Sequence, residues 1–262
     1  MMTIGVDLAA EPKKTALARI DWSSGSATVR DVHLDTTDRT IVEAVTNADK
    51  VGIDCPFGWP EAFVAFITAH QGGNVAVPQG VTGLQWRRAL AYRVTDQRVR
   101  AETGLRPLSV AADRIAHTAM RCAGLLATLA GQGLPVDRAG GGVVVEVYPA
   151  ASLAGWGLPH LGYKTKNNIS VLATLVDALL DAAPWLDLGA HADLCRRSDD
   201  AFDAVIAALT ARAVALGHTA LPGPDDVSAA EREGWIALPT SPLSSLVPDH
   251  SPRPAERLPA PR

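Results

Sequence analysis

Cysteine is scarce in this chain: Cys55, Cys122 and Cys195 are its 3 cysteines, far apart and without a C-x-x-C pair. That spacing argues against a disulfide framework or a structural zinc site, and a reducing cytoplasm is the expected setting. The 7 histidines include no H-x-x-x-H pair, so a histidine-based zinc centre has no local support. No apolar run approaches the ~18–20 residues of a membrane span, which excludes an integral membrane protein of helical type. No basic stretch precedes an apolar one at the N-terminus, so no secretory signal is expected. Neither sign of charge dominates: the net charge of −4 does not by itself suggest a polyanion binder. No internal repeat is visible.

What is present is ordinary globular material, 47% hydrophobic and 20% charged over 262 residues. The first third reads as β-rich runs at Thr3–Ala9, Thr15–Trp22 and Ala27–Leu34, the last two joined by a hairpin-sized turn. A helical pattern at Thr40–Ala48 and an extended run from Val51 to Cys55 follow. Helical periodicity then covers Pro60–His70, Leu84–Ala101 and Val110–Leu129. The apolar run Val143–Tyr148 has too little alternation to be half exposed and is placed inside the sheet. Helices are expected at Ile169–Ala182 and Asp199–Leu216, the latter ending at Gly217. The pattern is α/β: a mixed five-stranded sheet flanked by helices, with a helical insertion at about 58–131 after the fourth strand. The domain is expected over residues 1–238. Pro239 to Arg262 carries 7 of the 18 prolines and reads as a disordered tail, ahead of a proline-recognition ligand.

Carboxylates interrupt the apolar runs. In Ile4-Gly5-Val6-Asp7, alternation puts Gly5 and Asp7 on one face, and Val51-Gly52-Ile53-Asp54 repeats the arrangement. Val144-Val145-Glu146 adds a third acid on a central strand. An isolated carboxylate there costs several kcal/mol unless it is hydrogen-bonded, paired or metal-bound. On the helix opened by Ser198, Asp200 and Asp203 share a face. Asp199 and Asp200 can simply complement the helix dipole, whereas Asp203 borders the buried stripe of Phe202, Val205, Ile206 and Leu209. For each acid alone a structural role competes with a catalytic one; the four together favour chemistry.

The element order resembles the ribonuclease H-like fold, and Phe202-Asp203-Ala204-Val205-Ile206 is similar to the terminal-helix motif of RuvC-type Holliday-junction resolvases. More closely, the chain resembles an uncharacterised family of predicted RNase H-like nucleases. The matching pieces are Gly5-Val6-Asp7-Leu8-Ala9, Ile53-Asp54-Cys55-Pro56-Phe57-Gly58, Arg93-Val94-Thr95-Asp96 with Arg100, Glu146-Val147-Tyr148-Pro149, Asp200-Ala201-Phe202-Asp203-Ala204 and Glu233-Gly234-Trp235-Ile236. They span roughly residues 3–238. The resemblance implies a nuclease or phosphodiesterase with Asp7, Asp54, Glu146 and Asp203 as catalytic residues. These four and Asp200 would bind Mg²⁺ or Mn²⁺, two ions ~3.5–4 Å apart. It departs from the resolvase pattern where Pro56 and a long helical insertion follow Asp54. Cys55 alternates to the opposite face, as a buried thiol.

Between Gln85 and Arg106 stand six arginines against Asp96 and Glu102, a local +4 in a chain of net −4. On one helix, Arg93, Asp96 and Arg100 would share a face. Either Asp96 and Arg100 form an i,i+4 pair of ~0.2–0.5 kcal/mol, or Arg93 and Arg100 contact a substrate phosphate while Asp96 orients one of them. Trp86 is read as packing before base stacking. Lys164 is a further substrate-binding candidate, since the family often carries Tyr-Lys there; exposure is the competing reading for it and for Lys166. Nucleic acid or another phosphodiester is the expected partner. The alternatives are a non-catalytic binding module on the same fold and an actin-like or sugar-kinase-like ATP-dependent phosphotransferase. The latter normally duplicates the domain, and 262 residues without a repeat are short for it.

Overall fold

In the computed structural model, which describes residues 1–164 and 168–247, six strands form one mixed sheet in the order β5-β4-β1-β2-β3-β6. They are β1 (Met2–Asp7), β2 (Ala16–Ser23), β3 (Ser26–His33), β4 (Lys50–Asp54), β5 (Val144–Glu146) and β6 (Leu186–Asp187). β1, β2 and β3 make an antiparallel meander; β4 runs parallel to β1, and β5 parallel to β4. The β2–β3 turn uses Gly25 at φ 75°, a conformation glycine adopts without a Cβ penalty. A parallel β4 requires a crossover, supplied by α1 (Asp38–Thr46). The Thr37 hydroxyl starts that helix by accepting from the Thr40 N–H. The sheet has one strand more than the expected five. In β6 only Leu186 and Asp187 pair with Ala27 and Thr28, and two residues are too few to show a period.

The other helices are α2 (Glu61–Gln71), α3 (Gly83–Ala91), α4 (Val94–Thr103), α5 (Ile115–Gly131), α6 (Pro149–Gly155), α7 (Ile169–Ala182), α8 (Ala192–Cys195), α9 (Asp199–Ala215) and α10 (Val227–Glu233). They cover both faces of the sheet. On one, Ile4, Val6, Val51 and Ile53 pack with Ile41 of α1 and Leu125 of α5. On the other, Ala18 and Ile20 meet Phe202 and Val205 of α9 and Leu175 of α7. From Ala201 to Ala211 every residue of α9 is buried, as a helix apolar nearly all round must be. No helix among the described residues is long and apolar enough to cross a membrane.

Two details differ from the sequence reading. The single helix expected over Leu84–Ala101 is two, α3 and α4, broken at Tyr92 and Arg93. The Asp96 carboxylate accepts from the Arg93 N–H and so caps a new helix start there. Arg93 therefore lies at the cap, not on a helix face shared with Arg100. The stretch from Pro239 to Val247, assigned to the tail, packs on the domain: Leu243 and Leu246 are buried in a 3-10 turn, and Arg212 donates to the Leu246 carbonyl. Proline content masked these two apolar anchors. The remainder of that tail, and Lys166, lie outside the described residues.

Candidate metal centre

β1 and β4 are parallel and in register, so Asp7 and Asp54 are paired at the C-terminal ends of two central strands. α9 brings the third acid. Its start is fixed by the Ser198 hydroxyl, which accepts from the Ala201 N–H, and it then lies directly on the backbone of β1 and β4. That approach needs the two glycines placed before the acids. A Cβ on Gly5 would collide with the Ala204 carbonyl and the Ala208 nitrogen, and one on Gly52 with the Ala207 carbonyl. The result is that one carboxylate oxygen from each of Asp7, Asp54 and Asp203 lies within 4.8 Å of the others. Three oxygen donors from three elements fit a hard divalent cation better than zinc, and this triad could hold a metal ion.

The charges at the triad are under tension. Burial, then Asp203 and Asp54, hold the Asp7 carboxyl far above the usual carboxylate range. Burial pushes Asp54 up to about 7 against the pull of Lys164, with Asp203 and Glu146 adding to the rise. Half-buried Asp200 adds a further like charge that raises Asp7, which places it at the edge of the site. Asp203 is also raised by burial, but Lys164 and Tyr163 oppose the shift. The Tyr163 hydroxyl donates to Asp203 at 2.9 Å, and Lys164 Nζ lies 2.5 Å from Asp203 and 3.9 Å from Asp54. Burial would lower the lysine, yet Asp203 and Asp54 hold it well above its usual value. Lys164 is thus a cation that faces the triad.

Glu146, expected beside the three, stands apart from them. Arg93 grips it with two bonds of 2.9 and 2.7 Å, and the Phe57 N–H donates to the same carboxylate at 2.9 Å. Arg93 is itself 1% exposed and bonded on its other side to Asp96, so neither is available to a substrate phosphate. This buried fork explains why an arginine, rather than a lysine, occupies the site. Arg100 is exposed and has no pair with Asp96, whose two oxygens are taken by Arg93. The sequence reading missed two participants. Tyr163 orients Asp203, where the Tyr-Lys pair had directed attention to the lysine alone. Glu233 accepts from the Glu61 and Val94 N–H groups, tying α2 and α4 to α10. Its signal was its place in Glu233-Gly234-Trp235, without a role attached. A cavity of about 380 Å³ opens beside Asp54, with Tyr148, His160, Lys164 and the Pro107-Leu108 loop in its walls.

Residues 5–227 match the model of a family described as "Protein of unknown function (DUF429)". No curated protein and no solved structure matches the chain.

Proposed function

We propose that this chain, which belongs to the DUF429 family, is a Mg²⁺- or Mn²⁺-dependent hydrolase of phosphodiester bonds, a nuclease on an RNase H-like framework. The observation that carries the reading is the convergence of Asp7, Asp54 and Asp203 beside an open cavity. The strand order β5-β4-β1-β2-β3, with acids closing β1 and β4 and a third on a late helix, supports the RNase H-like resemblance. Divalent ions held there, two in the resolvase-like reading, supply an activated water and stabilise the leaving oxygen of the diester. The chain's own residues prepare the site. Asp7, Asp54 and Asp203 provide the ligand oxygens, and Asp200 adds negative charge at their edge. Asp7 and Asp54 must release protons as a cation is taken up, so uptake strengthens as pH rises. Tyr163 fixes the rotamer of Asp203, and Lys164 places positive charge where a phosphate would approach. Glu146, gripped by Arg93, acts at one remove: with Phe57 it fixes the chain as it leaves Asp54.

A second reading, a non-catalytic module, is favoured by one observation: Lys164 already pairs with Asp203 and could serve as a permanent counter-ion. Nothing favours a phosphotransferase. The test is hydrolysis of bis(p-nitrophenyl) phosphate and of oligonucleotides with Mg²⁺, Mn²⁺ or chelator, beside a calorimetric Mn²⁺ titration. Metal-dependent turnover is expected, with a loss of at least ~100-fold in Asp7→Asn. Bound Mn²⁺ should stabilise the wild type by about 2.7 kcal/mol at a hundredfold excess over Kd, and Asp7→Asn should show no such gain. A wild type that neither binds Mn²⁺ nor hydrolyses any diester leaves the module reading in its place.

A further inference from the structure

The arginines divide by position. Outside the stretch between α2 and α5, those among the described residues donate to acids or carbonyls, as Arg121 does to Asp38 and Arg212 to Leu246. Those without such a partner among the described residues are Arg87, Arg88, Arg100, Arg106 and Arg114, all between α2 and α5. Three of the five face one hollow of about 260 Å³: Arg88 from α3, Arg100 from α4 and Arg106 from the loop that follows. The hollow's acid, Asp96, is already spent on Arg93, to which both its oxygens are bonded. The three guanidinium groups are therefore unopposed, and such groups suit bidentate contact with phosphate oxygens.

The hollow adjoins the candidate metal centre. Arg106 and Pro107 line both it and the 380 Å³ cavity beside Asp54, so a single ridge separates the two. The larger cavity has Tyr148, Leu108 and Leu161 in its walls, a surface on which a base face can rest. The acids in its walls, Asp54 and Glu146, are recessed, 20% and 2% exposed at the side chain. An unstacked strand can turn a base into such a cavity and bring its phosphate to Asp54, whereas a double helix must first bear the cost of unstacking.

We propose that the arginine hollow is a phosphate subsite and that the substrate class is single-stranded nucleic acid. One unstacked nucleotide occupies the cavity beside Asp54, and a neighbouring backbone phosphate sits on Arg88, Arg100 and Arg106. The assignment of the cavity rests on the phosphodiesterase reading; that of the hollow rests on the arginines.

Binding is measured by fluorescence anisotropy in chelator, where no cleavage occurs, with labelled oligothymidylate and oligouridylate against a duplex and an oligoglutamate of equal length. The proteins are wild type, R88Q/R100Q and the charge-matched R87Q/R114Q, whose positions line neither cavity. Thermal melts confirm that each is folded. Wild type should bind at least one single strand. In R88Q/R100Q its affinity should fall by about 10-fold or more, and the log–log salt slope should flatten by ~0.7 for one lost phosphate contact. R87Q/R114Q should keep the wild-type slope. Equal losses in the two double variants, absence of single-strand binding, or equal affinity for duplex or oligoglutamate would overturn the proposal. Hydrolysis of bis(p-nitrophenyl) phosphate with Mn²⁺ is scored separately on wild type. If that activity is missing while the slope behaves as expected, the subsite stands and the phosphodiesterase reading falls.

Discussion

At the scale of single residues, Asp54 shows what the site costs the fold. Its side chain is 20% exposed, and burial and its acidic neighbours push it up to about 7, while an unfolded aspartate titrates near ~3.9. Between those values the native state holds more protons than the unfolded state, so stability falls as pH rises through the window. The contribution is fully favourable below about pH 4 and is lost by about pH 7. Lys164, held above its usual value, stays charged throughout and does not alter the sign. Metal-free urea melts at about pH 5 and about pH 8 should therefore show the wild type losing, on the order of, 3 kcal/mol more than Asp54→Asn on going to the higher pH. Parallel losses in the two proteins would remove Asp54 as the cause. The neighbouring Cys55 behaves oppositely in kind. It points to the far face of the sheet, beside Cys122, and burial pushes its thiol well up, which makes it packing rather than a nucleophile.

At the scale of elements, the decisive contact is α9 on β1 and β4. Gly5→Ala places a methyl group against backbone atoms in the buried stretch of α9, which cannot give as a flexible side chain would. The expected cost is about 3 kcal/mol or more, a Tm loss of roughly 6–12 °C for a domain of this size. Gly124→Ala on α5, where a Cβ meets nothing within 4 Å, should instead be neutral or slightly stabilising. A Gly5→Ala protein that melts like wild type would mean that α9 does not lie where it is described. This contact also explains what could be read beforehand. The alternation in Ile4-Gly5-Val6-Asp7 and Val51-Gly52-Ile53-Asp54 is local, so it assigned the acids to one face correctly. The break between α3 and α4 was hidden because α-helical periodicity continues across Tyr92, while the interruption rests on the Asp96 cap at the Arg93 N–H together with a long-range bond between the Arg93 side chain and Glu146. The same bond removed Glu146 from the acid cluster. A strand position alone cannot reveal that a partner 53 residues away already holds the carboxylate.

At the scale of the whole molecule, the end of the described chain belongs to the domain. Ile236 bridges to Glu146 in parallel, the Ala237 N–H donates to the Glu146 carbonyl, and the Ile236 N–H donates to the Thr95 hydroxyl. Beyond it, Leu243 and Leu246 are 4% and 1% exposed. Burying a leucine contributes ~1.5–3 kcal/mol, so a protein ending at residue 238 should melt more than ~5 °C below one ending at residue 247. Equal melting points would show that the 3-10 turn contributes nothing.

The chain order of the triad has a consequence in time. Asp7 is synthesised nearly two hundred residues before Asp203, an interval of ~10–40 s at ordinary rates of synthesis. Asp54 follows Asp7 early, but the helix that seats on Gly5 and Gly52 is among the last elements made. No nascent chain still lacking α9 carries the complete set of carboxylates. Whatever cation the triad can hold, its three carboxylates therefore come together late and in one step, when α9 docks.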